Sequence, residues 1–161
     1  MGASERGGET SIAGLLSNGR ESVLAEATEA LVQARLRHYE AAGTDEARRR
    51  LGKLLELTTS CVEHRDLGPI TRFGREIGEE RFHAGFGLDE VQTAFNVLEE
   101  ALWRHSLQSL PADRLGDALG TLSTVLGAGK DALARAYVAC AIERHAPSLD
   151  LAGMFGGLQG A

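Results

Sequence analysis

From Ala112 to His145 the chain contains no proline, and Leu115, Leu119, Leu122, Leu126, Gly129, Leu133, Ala136 and Cys140 recur in alternating steps of four and three. That alternation gathers the apolar side chains on one side of a helix with 3.6 residues per turn, and a strand would scatter them over both faces. Ala118, Val125, Ala132 and Ala139 form a second stripe, seven residues apart. A helix lined on two flanks needs neighbours on both, so this segment predicts a bundle with one long helix as a major wall. Pro111 marks the break before it, and Asp113 falls in the first turn, where a carboxylate suits the helix dipole.

A third row on the same segment is small. Gly116, Gly120, Gly127 and Ala134 follow one another along one side, with Ala141 continuing the seven-residue spacing. Each interior glycine costs a helix about 0.8–1 kcal/mol relative to alanine, so repeated glycine implies packing that offsets the loss. Two arrangements supply such packing: a tight crossing with another helix of the same chain, or a homodimer seam between two copies.

The preceding chain divides at its glycines and prolines into four further helices, making an all-α domain of about five helices with a long C-terminal one. Ser17 and Asn18 are candidate caps for a helix over 20–42, carrying Leu24, Ala27, Leu31, Ala34 and His38 and ended by Gly43. Thr44 is the expected cap of a second helix running to about Arg65, with Leu51, Leu54, Leu55, Thr58, Cys61 and Val62 as its buried face. Asp66 and Pro69 open a third helix, along which Ile70, Phe73, Ile77 and Ala84 lead to Gly85. After Gly85-Phe86-Gly87 a fourth helix carries Leu88, Val91, Phe95, Leu98 and Leu102 as a narrow seam.

Residues 1–19 read as a mobile leader whose single apolar group, Ile12, Leu15 and Leu16, is enough to dock one turn. Residues 20–146 form the helical domain. Residues 147–161, with four glycines and the scattered anchors Leu149, Leu151, Met154, Phe155 and Leu158, read as a tail or linker.

Charge and composition exclude several functions. The formal charge of −6 divides evenly: residues 1–80 hold 11 basic and 14 acidic side chains, and residues 81–161 hold 6 and 9. An acidic chain without a basic stripe repels a phosphate backbone, so no nucleic-acid role is expected. Arg48-Arg49-Arg50 with Lys53 stands among Asp45, Glu46 and Glu56 and reads as a solvated face with local ion pairs, a docking patch being the alternative. No run of about 18 apolar residues offers a membrane span, and MGASERGGETS lacks the apolar core of a secretory signal. Arg6 stands where a myristoylation signal would place Ser or Thr. A soluble cytoplasmic protein is expected, with Cys61 and Cys140 as separate buried thiols.

Catalysis lacks its parts: no Ser, Thr or Cys stands in a nucleophile context, and Gly85-Phe86-Gly87 is too short to cradle a phosphate. Glu80 and His83 have the Glu-x-x-His spacing of a di-iron bundle, but a second copy is missing, and salt bridging by Glu79, Glu80 and Arg81 is the simpler role. His38, His64, His83, His105 and His145 lie near helix ends, where dipole capping accounts for them more simply than haem ligation. No metal and no cofactor is expected. The surroundings of the Gly85–Leu88 corner, Arg81, His83, Phe86 and Leu88 with Trp103 and Tyr137, are the candidate place for a ligand or partner.

From Gly78 to Trp103 an Arg-bearing helix leads to Gly85-Phe86, a small turn, Leu88-Asp89-Glu90-Val91 and then Ala101-Leu102-Trp103. This pattern resembles the N-terminal domain of RsbRD-type RsbT co-antagonist proteins, and the resemblance extends over roughly residues 20–146. It implies a helical input module, sensory or dimerising, of the kind joined to a STAS domain, a kinase or a helix-turn-helix output. The chain has no room for such an output after its fifth helix, which implies a stand-alone version or the input half of a longer protein.

The expectation is therefore a non-enzymatic regulatory or protein-interaction domain of bacterial signalling, a homodimer that works by shifts of helix packing and contacts a signalling protein. The alternatives are a haem- or metal-binding helical sensor, distinguished by colour and metal content, and a ligand-free structural adaptor with a filled core.

Overall fold

The computed structural model describes residues 11–145, and every regular element among them is helical. The helices are α1 (Ile12–Asn18), α2 (Arg20–Gln33), α3 (Arg37–Ala42), α4 (Thr44–His64), α5 (Gly68–His83), α6 (Leu88–Ser109) and α7 (Ala112–His145). The all-α class is as the sequence pattern requires. The count is seven helices instead of five, because α1 forms within the stretch read as a leader and the first expected helix is two. The tail 147–161 and its anchors lie outside the described residues.

In α1 the Ser11 hydroxyl accepts from the Gly14 N–H at 3.0 Å, and burial of Leu15 and Leu16 fastens the short helix to the bundle. Ser17 and Asn18 therefore end α1, and the residue preceding α2 is Gly19. Thr44 likewise is the first residue of α4, with Gly43 before it.

The expected 20–42 helix breaks at Arg35, which adopts the left-handed conformation at φ 50°. Neither glycine nor proline marks the place. A left-handed non-glycine residue costs roughly 1–2 kcal/mol, and tertiary packing offsets it here. The break re-aims α3, burying Tyr39 and turning His38 toward the α5–α6 corner.

Helix α4 touches every other helix and presents Ala47, Leu51, Leu54, Leu55, Thr58 and Cys61 to the core. Around it, α2 pairs with α6, and α5 runs along α7 in the most extensive contact of the fold. The α6 seam is buried at Val91, Phe95, Leu98 and Leu102. The main stripe of α7 is buried at Leu122, Leu126, Gly129, Leu133, Ala136 and Cys140, while the second stripe is buried at Ala118 and Val125 and ends exposed at Ala139.

Close approach occurs at glycines other than the predicted row. A Cβ on Gly74 would strike the Gly129 carbonyl oxygen, and one on Gly78 would lie 2.7 Å from the Ala136 Cβ. One on Gly129 would lie 2.8 Å from Phe95. The crossing of α5 and α7 thus depends on three missing side chains. By contrast, Gly116, Gly120 and Gly127 would carry a Cβ with nothing within 4 Å, so the internal-crossing explanation does not apply to them.

This difference gives a test in denaturant. Propensity alone predicts that Gly74→Ala stabilises α5 by up to about 1 kcal/mol, but overpacking against fixed backbone reverses the sign and costs about 1–3 kcal/mol. A lowered urea midpoint at unchanged slope is the expected outcome; a raised midpoint would show that the helices do not meet this closely.

Candidate functional site

The C-terminus of α5 builds the corner. Gly85, at φ 84°, takes the left-handed conformation that glycine adopts without strain, and its N–H donates to the Phe82 carbonyl at 3.1 Å. The Phe86 N–H donates to the Arg81 carbonyl at 3.0 Å, completing a Schellman termination. The turn folds Phe86 back over Arg81, whose guanidinium carbon lies 4.9 Å from the ring centre.

Five helices contribute to the environment of Phe86. From α3, His38 stacks on the ring at 4.3 Å between centroids, and Tyr39 meets it edge-on at 5.9 Å. From α4, the Arg50 guanidinium lies 5.8 Å from the Phe86 ring and 5.5 Å from that of Tyr39. From α6, Glu90 Oε2 lies 2.7 Å from Nδ1 of His38. From α7, the Tyr137 hydroxyl donates to the Phe86 carbonyl at 3.2 Å, and its ring meets Phe82 edge-on. Arg81 of α5 is buried, with its guanidinium 3.1 Å from Glu80.

Of the sequence candidates, Arg81, Phe86 and Tyr137 lie together, and Leu88 packs half-buried against the neighbouring core. His83 is exposed, its ring edge-on to Phe82. Trp103 is 40% exposed and does not join the cluster. It lies about 22 Å further along α6 than Leu88, taking a helical rise of 1.5 Å per residue. Among the described residues no three His, Cys, Asp or Glu side chains gather as metal ligands, and Glu80 faces Arg81.

His38, Tyr39, Arg50 and Glu90 complete the cluster, although the sequence marks His38 only as a helix-end residue, Arg50 only as part of the basic run and Glu90 only within the segment that follows the turn, and does not mark Tyr39. For Arg50 a signal exists: it stands three residues after Ala47 and four before Leu54, on the edge of the buried face of α4. For the arrival of His38 and Tyr39 at this corner there is none, because their placement follows from the unmarked break at Arg35.

Beside the cluster, a cleft of about 220 Å³ opens between α4, α5 and α6, lined by Arg50 and Arg81 together with apolar residues that include Leu54, Ile77 and Phe95. The model for the RsbT co-antagonist protein rsbRD N-terminal domain matches residues 21–147, which takes in α2 to α7 and the whole corner. The chain belongs to this family. No curated relative matches it. As an RsbRD N-terminal domain it is a regulatory domain of signalling and stress response. No described helix is long and apolar enough to cross a membrane.

The corner sets the acidity of both tyrosines of this RsbRD domain. Burial, the largest cause, raises Tyr39 above the usual phenol value of 10.0 although Arg81 and Arg50 pull it down. Burial likewise pushes Tyr137 up to about 12. A pKa raised on folding stabilises the fold fully below the unfolded value and loses that contribution as pH rises through the folded one. Stability is therefore expected to fall from pH 10.0 toward about 12. Native-state ultraviolet titration should show little phenolate at pH 10.0, with Tyr39→Phe and Tyr137→Phe assigning the two steps; half-ionisation of both at that pH would contradict the buried placement.

Proposed function

We propose that this RsbRD domain is a non-enzymatic input module of a bacterial cytoplasmic signalling system, which self-associates along α7 and regulates a partner protein through shifts of helix packing. The observation that supports it most directly is the open face of α7. Gly116 and Gly120 are exposed, Gly127 and Ala134 are half-exposed, and no side chain of the described chain fills the space above the three glycines. Further along the helix, Val138 and Ile142 are 56% and 63% exposed.

The helix carries the propensity cost of these glycines without any internal packing to offset it. A second copy of α7 laid along the row would supply that packing, because small residues permit close backbone approach and an isologous contact repeats it by symmetry. The family name points to regulation of RsbT as the kind of output, so a signalling protein is the expected partner, contacted by surfaces that rearrange when helices shift.

Two substitutions at one position separate self-association from folding. In the isolated fold, Gly120→Ala meets nothing and should raise stability by about 0.5–1 kcal/mol. Gly120→Leu should retain helical circular dichroism yet give a monomer by light scattering under conditions where the unaltered chain is a dimer. Unchanged mass for Gly120→Leu would remove the seam, and loss of helicity would show that the row faces the chain's own core.

A further inference from the structure

We infer that the cleft between α4, α5 and α6 is a binding site for a small carboxylate with an apolar body, held by Arg50 and Arg81 beside Leu54, Ile77 and Phe95. Its lining holds Arg49, Arg50, Lys53 and Arg81 against the single carboxylate Glu80, in a chain whose net charge is −6. Each of these cations already has a carboxylate close by, Glu46 for Arg49 and Arg50, Glu56 for Lys53 and Glu80 for Arg81, so the attraction for an anion rests on the guanidinium donors that those pairs leave free.

The two arginines differ from ordinary surface arginines. Arg81 keeps only 10% of its side chain exposed, and its contact with Glu80 engages one end of a guanidinium that has five N–H donors. Arg50 donates from Nε to Glu46 at 2.9 Å, while its Nη1 is buried with no hydrogen-bond partner. A buried donor without a partner is unfavourable, and a carboxylate that a small movement of the guanidinium brought within reach would supply the missing bond. Glu46 does not compete for the role, because its charge is already committed: the Arg49 hydrogen bond first, and Arg50 after it, hold its carboxyl down to about 2.

Shape and polarity select the ligand class. Arginine forks match a planar carboxylate. The apolar lining disfavours a fully hydrated inorganic anion, which would have to leave its water for surfaces that return no hydrogen bonds. The volume of about 220 Å³ is below the roughly 300 Å³ at which drug-sized pockets begin, so the ligand is small. The cleft shares no residue with the Gly116–Ala134 row, so occupancy and self-association can be tested apart.

The test uses the full chain and three probes: phenylacetate, phenylethyl alcohol as its neutral counterpart, and inorganic phosphate. Phenylacetate is expected to give saturable amide shifts in nuclear magnetic resonance spectra, centred on residues 50–54, 77–81 and 91–95. The alcohol and phosphate should each bind at least about ten-fold more weakly, the difference expected for losing a charge-assisted pair or the apolar contact. Arg50→Gln should weaken phenylacetate by about ten-fold or more and leave the alcohol unchanged, and Lys53→Gln on the rim should weaken it about two-fold. Absence of saturable shifts at the cleft at about 10 mM phenylacetate overturns the proposal. Equal binding of the alcohol would show a merely apolar cleft, and equal binding of phosphate an unselective cationic one; either result also overturns it. The probe comparison is made on the unaltered chain, so it decides the matter even where Arg50→Gln fails to fold.

Discussion

The near-contact of α5 with α7 is the constraint on which the rest of the bundle depends. Gly74 and Gly78 let α5 approach the backbone of α7 at Gly129 and Leu133, with Ala132 and Ala136 adding only methyl groups between them. At that separation the two helices behave as one rigid wall, since interiors packed at crystal density yield little to a displaced methylene. Its upper end fixes Phe82 against Tyr137, and the termination at Gly85 then has only one direction in which to send Phe86. The cluster around Phe86 is thus a consequence of helix spacing some two turns away, because the aromatic and cationic contacts act only over the distances that spacing permits.

Periodicity made much of the fold legible and said less about the corner. The four-three alternation describes a real buried face from Leu122 to Cys140, with Leu115 and Leu119 only partly buried, and the α6 seam is buried from Val91 to Leu102, because burial on one helix side is what such spacing records. The Gly74–Gly78 spacing and the longer Gly116–Gly127 row are equally visible in the sequence, but composition does not say whether a small residue faces a neighbour or solvent. Only the space around each missing Cβ separates the two cases.

Other features left no local trace. The helix break at Arg35 follows from what Tyr39 and His38 reach after it, and no turn residue announces it. The short helix α1 was partly visible, as Ile12, Leu15 and Leu16 recur at helical spacing, but the surrounding glycine and serine argued for mobility. Burial of Leu15 and Leu16 shows that two well-placed side chains outweigh that composition. A solvated face with local ion pairs, the expectation for the basic run, describes Arg48 and Arg49 with their Glu21 and Glu46 partners. One residue further along the helix, Arg50 faces inward, because a turn of 100° separates neighbours on a helix and averages over a charge run conceal it.

The geometry also limits how occupancy of the proposed cleft would be turned into regulation. Helix α7 carries Tyr137 at the corner and, on its open side, the row from Gly116 to Ala134, so one continuous element belongs to both surfaces. A rigid helix transmits a displacement along its length, but a displacement is regulatory only when two packings of similar free energy exist and a ligand prefers one of them. The cleft contains a source of such preference. Arg50 lies against the rings of Tyr39 and Phe86, and Arg81 against that of Phe86, so a carboxylate that drew either guanidinium toward itself would alter the cation–aromatic contacts between α3 and the α5–α6 turn.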